Sequence, residues 1–249
     1  MRILHLVHQY LPEYVGGTEL YTRWLAQAQR RRGHPVGVFY RRSAEGRGRE
    51  GRLDAGDVQV WAAWAGIVTP TRRFFHTFDD RPMRPLWEQT LRDFAPEVVH
   101  IEHLMGLPVS LVDVLRRRGI PYVITLWDFW WVCANANLLT NYDRTICDGP
   151  RAFLNCARCA LARANRPGLW PAQPPLAGVM AWRNRLLRRV LANAAALIAP
   201  TRFVHRWYAD HHAPAARLVT IPAGLEEPGT PIRRPVSSGA PRPVRFVYI

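Results

Sequence analysis

The sequence contains no lysine, and all 34 of its lysine-or-arginine positions are arginine. This absence excludes a nucleotide-binding P-loop, because the phosphate-binding motif of a P-loop requires a lysine. Long apolar runs are absent as well, since none reaches the roughly 18 apolar residues that a membrane-spanning helix needs. The short apolar run at residues 2–7 leads directly into polar residues. This pattern excludes a secretory signal peptide and predicts a cytoplasmic protein.

Acidic residues are scarce relative to basic ones. The chain has 34 basic and 19 acidic residues, which gives a formal net charge of +15. A charge of this size favours anionic partners such as phosphate groups, acidic lipids or nucleic acid. Two arginine runs, at residues 30–32 and 116–118, are each followed by a glycine. We interpret both runs as helix C-termini rather than as a nucleic-acid patch, because cations and a following glycine suit that end of a helix.

A pair of glycines, Gly16 and Gly17, follows the apolar run at 2–7 and a short loop. Thr18 and Glu19 then open a segment with helical periodicity. This order brings backbone N–H groups and the positive end of a helix dipole to one place, which suits a phosphate group that glycine lets the backbone approach closely. Taken alone, the pair favours a tight turn that binds nothing, because it lacks the G-x-G-x-x-G spacing of a dinucleotide fold.

Apolar runs alternate with helical patterns along most of the chain. The predicted strands are 2–7, 36–40, 58–61, 97–101, 120–126, 195–199 and 218–222, and the predicted helices are 18–32, 85–94, 107–118, 182–193 and a short one after Thr201. This alternation predicts an α/β fold, a Rossmann-like parallel sheet with helices on both faces. Residues 41–57 are interpreted as a mobile surface loop, and residues 70–84 as an irregular basic and aromatic stretch.

The residues that follow the predicted strands are expected to share one crevice, because the carboxyl ends of parallel strands meet at one edge of a sheet. The prediction brings six residues together there, namely His8, Gly16, Gly17, His103, Trp127 and Asp128.

Three segments carry a resemblance to a known family. They are His8-Gln-Tyr-Leu-Pro-Glu-Tyr-Val-Gly-Gly-Thr-Glu19, Arg32-Gly-His-Pro-Val-Gly-Val-Phe39 and Ile221-Pro-Ala-Gly-Leu-Glu226. In their order and spacing, the chain resembles the N-terminal domain of retaining, two-domain (GT-B) glycosyltransferases of the family 4 type. The resemblance implies the N-terminal half of a GT-B fold with an acceptor-side domain at 1–225. It also implies a linker at 226–243 and, at 244–249, the first strand of a truncated C-terminal donor-binding domain.

The segment Thr125-Leu-Trp-Asp128 lies where the family usually has Thr-Leu-His-Asp, with the histidine lining the reaction centre. Trp127 can stack on a sugar face and donate one N–H, but it cannot transfer protons at neutral pH. Asp128 is expected either to accept a hydrogen bond from the acceptor hydroxyl or to cap the strand end as an Asx turn. The resemblance places His103 near the acceptor cleft as a second catalytic candidate, and a packed or capping histidine is the alternative.

The resemblance assigns substrate binding to the segment around the glycine pair. The residues concerned are His8, Gly16, Gly17, Thr18 and Glu19, together with Trp127. A carboxylate at position 19 is also favourable in the first turn of any helix, whatever the function.

All four cysteines lie between residues 133 and 159, in a segment of loop-like composition. They are Cys133, Cys147, Cys156 and Cys159, with the spacing C-x13-C-x8-C-x2-C. Four thiolates suit a tetrahedral structural Zn²⁺ in a loop insertion beside the cleft. Disulfides are disfavoured in a reducing cytosol, and the spacing is not that of common iron–sulfur proteins. Cys133 follows an apolar run, so a merely buried cysteine is the alternative there.

The resemblance implies transfer of a sugar from a nucleotide sugar to a glycan or lipid-linked acceptor hydroxyl, with retention, in cell-surface polysaccharide or glycolipid synthesis. This half alone is expected to be inactive, and nucleic acid is not an expected partner. Arg72 and Arg73 beside Phe74, Phe75 and Phe78 suit peripheral contact with the anionic inner face of the cell membrane, or else a partly buried loop. The alternative function is a non-enzymatic, zinc-stapled basic module that binds nucleic acid.

Overall fold

The computed structural model describes residues 1–42, 51–55, 58–64, 69–211 and 213–224. In chain order the strands are β1 (Ile3–Val7), β2 (Val36–Arg42), β3 (Gly51–Ala55), β4 (Val58–Trp64), β5 (Val98–Ile101), β6 (Tyr122–Thr125), β7 (Ala196–Ala199) and β8 (Leu218–Thr220). The helices are α1 (Gly17–Arg31), α2 (Pro70–His76), α3 (Met83–Phe94), α4 (Ser110–Arg117), α5 (Leu154–Arg163), α6 (Gln173–Asn193) and α7 (Arg202–His211). Short 3₁₀ turns lie at Trp170–Ala172 and Ala215–Arg217.

The strands form one sheet in the order β3-β4-β2-β1-β5-β6-β7-β8. Every neighbouring pair is parallel except β3 and β4, which are antiparallel. The predicted Rossmann-like α/β fold is therefore confirmed, with one antiparallel strand at an edge. The central strands are short apolar runs buried along their length, as expected where helices cover both faces of a parallel sheet.

Alternate residues of the central strands belong to two separate apolar cores. Leu4 and Leu6 of β1 lie in the larger core, which includes Trp87 of α3. Val7, at the end of the same strand, lies in the smaller core with Ala26 of α1. Because successive side chains of a strand point to opposite faces, the two cores place helices on both sides of the sheet.

The direction in which the chain moves across the sheet reverses between β1 and β5. From β1 the chain continues to β2 and then β4 on one side, and it returns through α3 to β5, which pairs with the other edge of β1. The strands β6, β7 and β8 then follow outward in order. In open α/β sheets, ligands bind beyond the carboxyl ends of the strands at such a switch point.

Several local predictions are confirmed by capping geometry. Gly33 and Gly119, which follow the arginine runs, adopt φ values of +83° and +68°. These left-handed conformations are the ones that glycine takes most readily after a helix. At the start of α7, the hydroxyl of Thr201 accepts a hydrogen bond from the backbone N–H of Val204 at 3.1 Å.

The structure corrects the expectation of irregular backbone in three places. Gly51–Ala55 is a strand inside the segment interpreted as a loop, because it pairs with β4. Pro70–His76 is a helix, capped by Thr69, whose hydroxyl accepts from the N–H of Arg72 at 3.2 Å. The cysteine segment contains α5, and α6 begins at Gln173 rather than near residue 182. The predicted linker at 226–243 and strand at 244–249 lie outside the described residues.

Among the helices that the structure describes, none combines the length and the apolar character needed to cross a membrane.

Candidate functional site

Polar side chains follow three strands that lie next to one another at the middle of the sheet. His8 follows β1, His103 follows β5 and Asp128 follows β6. The first turn of α1 begins just beyond His8, at Gly16. We call these three side chains and this turn the cleft. It lies at the switch point of the sheet, as the strand-end argument predicts.

His103 and Asp128 are joined by a hydrogen bond in the cleft. The Nε2 atom of His103 lies 3.1 Å from Oδ2 of Asp128. The backbone N–H of Met105 donates to Nδ1 of His103 over 3.0 Å. Because Nδ1 accepts this bond, the proton of the neutral ring resides on Nε2 and is donated to Asp128. His103 is buried, whereas 33% of the Asp128 side chain is exposed.

The other oxygens of Asp128 determine its orientation. Its Oδ1 atom accepts a hydrogen bond from the backbone N–H of Trp130 at 2.8 Å, which is an Asx turn. Its backbone carbonyl accepts a hydrogen bond from the Tyr208 hydroxyl at 2.6 Å. Asp128 therefore forms the Asx turn and still contacts His103 in the cleft, because the turn uses Oδ1 and leaves Oδ2 beside His103.

His8 packs against His103, with 4.7 Å between the ring centroids, and its Nε2 lies 3.7 Å from Oε1 of Glu19. Burial, together with the nearby charges of His103 and Arg73, lowers the pKa of His8 well below its ordinary value. The ring is therefore neutral at neutral pH. Its Nδ1 atom is buried and has no hydrogen-bond partner among the described residues. One imidazole nitrogen of the cleft is thus unpartnered but closed to solvent.

The glycine pair at the start of α1 differs from the expected close-approach turn. Gly16 is extended (φ −141°, ψ 176°), and neither glycine is among the residues with positive φ. A Cβ on Gly16 would lie 2.5 Å from Oε2 of Glu19, whereas a Cβ on Gly17 would meet nothing within 4 Å. The Glu19 carboxylate therefore folds back over the helix N-terminus, and Gly17, with the half-buried Thr18 beside it, is the position with room for a ligand.

Trp127 lies beside the cleft, but its N–H is already used. The indole Nε1–H donates to Oε2 of the buried Glu102 at 3.2 Å. The ring of Tyr21 contacts the indole edge-on, with 4.6 Å between centroids. The half-buried indole ring can therefore still stack on a sugar. The expected hydrogen bond from the indole N–H to a sugar does not form, because Glu102 accepts that N–H.

A buried polar network below Trp127 was missed by the sequence argument. Nδ1 of His5 donates to Oε1 of Glu102 at 3.0 Å, and Nδ1 of His100 lies 3.4 Å from the same oxygen. The Thr125 hydroxyl pairs with Nε2 of His100 at 2.7 Å. The three ligand-type atoms of His5, His100 and Glu102 lie within 4.8 Å of one another, a spacing that would also suit a metal ion.

Protonation within this network follows from its burial. Burial lowers the pKa of His100 to about 4, although the charge of Glu102 opposes this shift. Burial alone would raise the pKa of Glu102, but His100, His5 and the Trp127 N–H together lower it. A neutral His100 thus faces an ionised Glu102. The missed signal was a histidine on each of two neighbouring apolar strands, since His5 and His100 are register partners.

A second ionic group lies near the cleft, where β2 and α2 meet. The buried Arg41 donates from Nη1 to the backbone carbonyl of Gly106, and its Nη2 lies 3.4 Å from Oδ2 of Asp80. The same carboxylate oxygen lies 2.9 Å from Nδ1 of His76. Arg73, also on α2, adds positive charge near His8. Of these groups, Arg73 is therefore the one whose positive charge acts on the cleft, at His8.

The cysteine segment begins immediately after Asp128 and returns through α5. Its four cysteines, Cys133, Cys147, Cys156 and Cys159, are all half-buried free thiols. Five of the seven non-glycine residues with positive φ in the described chain lie within it, namely Ala136, Leu138, Arg144, Ala152 and Phe153. Such conformations persist only where the surrounding contacts hold them.

Residues 16–224 match the sequence model of a family described as a glycosyl transferase 4-like domain. No curated protein matches the chain. Among solved structures, the chain is similar to sucrose-phosphate synthase from Thermosynechococcus elongatus, at 12% identity and a TM-score of 0.56, over 90% of this chain and 49% of that one. The chain therefore spans about half the length of that synthase.

Two further structures extend the comparison. Another structure of the same synthase has 10% identity and a TM-score of 0.50, over 89% of each chain. A structure described as trehalose-6-phosphate from E. coli bound with UDP-2-fluoro glucose has 10% identity and a TM-score of 0.45, over 91% of this chain and 49% of that one. At these identities the likeness concerns the fold alone, which is the N-terminal half of a GT-B arrangement.

Proposed function

Because the chain belongs to the glycosyl transferase 4-like family, we propose that it is the acceptor-side half of a retaining glycosyltransferase. The enzyme transfers a sugar from a nucleotide sugar to an acceptor hydroxyl. The observation that carries this proposal is the hydrogen bond between His103 and Asp128 at the switch point, with the Asp128 carboxylate partly open to solvent. A fixed acceptor of hydrogen bonds at that place suits the recognition of a sugar hydroxyl.

Asp128 accepts a hydrogen bond from the acceptor hydroxyl and so orients its oxygen toward the anomeric carbon. His103 keeps the carboxylate in place through its Nε2 proton, and the Asx turn prevents rotation of the side chain. Trp127 takes no part in proton transfer, because an indole has no group that titrates near neutral pH.

The bond changes of the proposed reaction follow from this assignment. The acceptor oxygen bonds to the anomeric carbon, while the bond from that carbon to the donor phosphate breaks on the same face. The acceptor proton passes to an oxygen of the leaving phosphate, which is the base in a retaining transfer of this kind. The first turn of α1, at Gly17 and Thr18, supplies backbone N–H groups to that phosphate.

We assign the acceptor-side role to the domain expected at residues 1–225. In a two-domain enzyme of this architecture the nucleotide and donor sugar bind mainly to the other domain, so the acceptor-side domain alone lacks turnover. The span of about half of sucrose-phosphate synthase supports this division.

The acceptor is a glycan or lipid-linked sugar of cell-surface polysaccharide or glycolipid synthesis, used at the inner, cytoplasmic face of the membrane. An exposed patch supports membrane contact. Phe75 and Trp182 are 55% and 53% exposed. Phe78 stacks on Trp182, with 4.3 Å between their ring centroids. Arg72 is exposed on the same helix as Phe75. Aromatic and cationic side chains together suit an anionic interface.

The four cysteines do not fit the predicted zinc site as placed, because among the described residues the group whose ligand atoms lie within 4.8 Å of one another is His5, His100 and Glu102. The arginine runs do not support the alternative function of nucleic-acid binding, because they lie at the C-terminal ends of α1 and α4 as helix caps. A basic groove or stripe would be expected for a nucleic-acid module.

The proposal is tested by incubating the whole protein with a panel of nucleotide sugars and lipid-linked or free glycan acceptors, with product analysis by mass spectrometry. The anomeric configuration of the product by NMR separates retention from inversion. Transfer with inversion would overturn the retaining assignment. Donor hydrolysis or transfer undiminished in the Asp128→Ala variant would overturn the assignment of the cleft.

A further inference from the structure

Three buried side chains of metal-ligand type meet below Trp127. The Oε1 atom of Glu102 lies 3.0 Å from Nδ1 of His5 and 3.4 Å from Nδ1 of His100. Neighbouring ligand atoms of a tetrahedral Zn²⁺ lie about 3.3 Å apart, because the bonds to nitrogen and oxygen are about 2.0–2.1 Å long. Two edges of the group therefore have nearly the length that such a site requires, and the third lies within 4.8 Å.

The outer nitrogen of each imidazole faces an oxygen atom. Nε2 of His5 lies 2.8 Å from Oε1 of Gln29, and Nε2 of His100 lies 2.7 Å from Oγ1 of Thr125. Metal-bound histidines almost always donate their second N–H to an oxygen acceptor or a water, which fixes the tautomer and the orientation of the ring. With both protons on Nε2, the two Nδ1 lone pairs face the carboxylate of Glu102.

The carboxylate of Glu102 is fully buried, and among the described residues its ion pairs are with His5 and His100 alone. Its second oxygen, Oε2, is held by the indole N–H of Trp127 at 3.2 Å. A buried charge is costly unless an opposite charge balances it. Two neutral imidazoles supply no such charge, so the group as a whole requires a cation.

A metal ion between the imidazoles and the carboxylate satisfies all of these atoms. A neutral His5 has one N–H, so it can donate to Gln29 or to Glu102 but not to both. When the proton lies on Nε2, the Nδ1 lone pair and the carboxylate repel each other unless positive charge lies between them. A divalent metal supplies that charge to both histidines at once, whereas a second proton on His5 leaves His100 without a cation.

We propose that His5, His100 and Glu102 bind one Zn²⁺ through their two Nδ1 atoms and Oε1. Two imidazoles and one carboxylate are an established set of zinc ligands, with a fourth position for a water molecule. Because Glu102 also accepts the N–H of Trp127, the metal connects β1 and β5 below the indole that lies beside the cleft. The role is structural, and it does not depend on the proposed transferase function.

Metal content tests the proposal without any transferase assay. Protein produced with zinc in the growth medium and then dialysed should retain about one Zn²⁺ per chain by elemental analysis. Glu102→Gln keeps the size of the side chain and removes the charged ligand, so it should lose the zinc. Glu97→Gln, at a carboxylate that is 53% exposed, is the matched control and should retain it. Folded wild-type protein without stoichiometric zinc would overturn the proposal.

The four cysteines are competing zinc ligands, and a variant with all four replaced by serine separates the two sources. This variant should keep its zinc. With Co²⁺ in place of Zn²⁺, both it and the wild type should show visible bands without the near-ultraviolet absorption of sulfur-to-metal charge transfer. Loss of zinc from the folded serine variant would overturn the proposal, and so would sulfur-to-metal charge transfer in the wild type.

If Glu102→Gln does not fold, Thr125→Val decides the question, because it keeps the shape of the side chain and removes the oxygen that holds His100. Its Kd for Zn²⁺, measured in competition with a chromophoric chelator, should rise about tenfold to a hundredfold. Thr90→Val, at another buried threonine whose hydroxyl donates to the carbonyl of Leu86, should leave the Kd unchanged. An unchanged Kd in folded Thr125→Val would overturn the assignment of His100 as a ligand.

Discussion

The indole N–H of Trp127 donates to the fully buried carboxylate of Glu102 over 3.2 Å. Through its indole nitrogen, Trp127 is therefore anchored to a polar group in the protein interior. Glu102 in turn accepts a hydrogen bond from His5 at 3.0 Å and lies beside His100. Trp127 stands where a Thr-Leu-His-Asp sequence has histidine. The buried network of His5, His100 and Glu102 thus supports the residue by which this chain differs from that sequence.

Trp127→Phe should separate the two roles of this side chain. The ring remains for stacking, while Glu102 loses one donor, so the free energy of unfolding should fall by about 1–3 kcal/mol with little change in acceptor KM. Trp127→Ala should reduce both stability and acceptor binding. Trp170→Phe, at a site that is 69% exposed, is the control for urea unfolding curves. Equal stability of Trp127→Phe and the wild type would show that the bond to Glu102 contributes nothing.

Asp128→Asn should lower kcat/KM for transfer by about a hundredfold or more, because the amide cannot accept the acceptor hydroxyl as a charged carboxylate does. Affinity for the nucleotide sugar alone, measured by calorimetry, should change little, since Asp128 faces the acceptor. Asp93→Asn, on the exposed side of α3, is the matched control. Transfer at the wild-type rate in Asp128→Asn would exclude a direct role of the carboxylate.

Stability should decrease as the pH falls from 6.5 toward 4. Burial lowers the pKa of His100 from 6.5 to about 4, so the unfolded chain binds a proton in this range before the folded protein does. This residue alone should remove about 3 kcal/mol of unfolding free energy by pH 4. The lowered pKa of His8 acts in the same direction.

Denaturant unfolding at several pH values measures this dependence. His100→Asn should flatten the curve between pH 6.5 and 4, because the titrating group is gone. His34→Asn, outside the network, should leave the slope unchanged. The same slope in wild type and His100→Asn would mean that His100 does not titrate differently in the two states.

Gly17→Val should weaken donor use while leaving the fold intact. A Cβ at Gly17 meets nothing within 4 Å, so a loss of activity there reports on the ligand rather than on packing. Donor KM should rise with an unchanged melting temperature. Gly178→Val, at another glycine with open space on α6, controls for the substitution itself. If donor kinetics are unaffected by Gly17→Val, the first turn of α1 does not approach the phosphate.

Vesicle binding should depend on the aromatic patch around Phe75 and Trp182. The double variant Phe75→Ser/Trp182→Ser should lose sedimentation with anionic phospholipid vesicles, because its apolar contact is removed while its charge is kept. Trp170→Ser, which removes an aromatic residue that is 69% exposed outside the patch, should bind as the wild type does. Equal sedimentation of all three proteins would place any membrane contact elsewhere.

The strand and helix pattern was predictable because apolar periodicity reports directly on burial. The runs that became β1, β5 and β6 were recognised, and with them the positions of His8, His103 and Asp128 at one edge. The helix α2 was missed because its arginines and phenylalanines lack an apolar stripe, and Thr69 and Pro70 were the only local signals for its start. The strand β3 was missed because only its pairing with β4 makes it a strand.

The amino-acid sequence alone determined the class of fold, the order of its elements and the three residues that end the central strands, because these depend on local periodicity and on the geometry of parallel strands. It could not determine the partners of those residues. That His103 donates to Asp128, that Glu102 takes the N–H of Trp127, and that Arg183 donates to the carbonyl of Trp130 depend on contacts between residues 25 or more positions apart. Such contacts exist only once the sheet and its helices are packed, so the tertiary structure decided them.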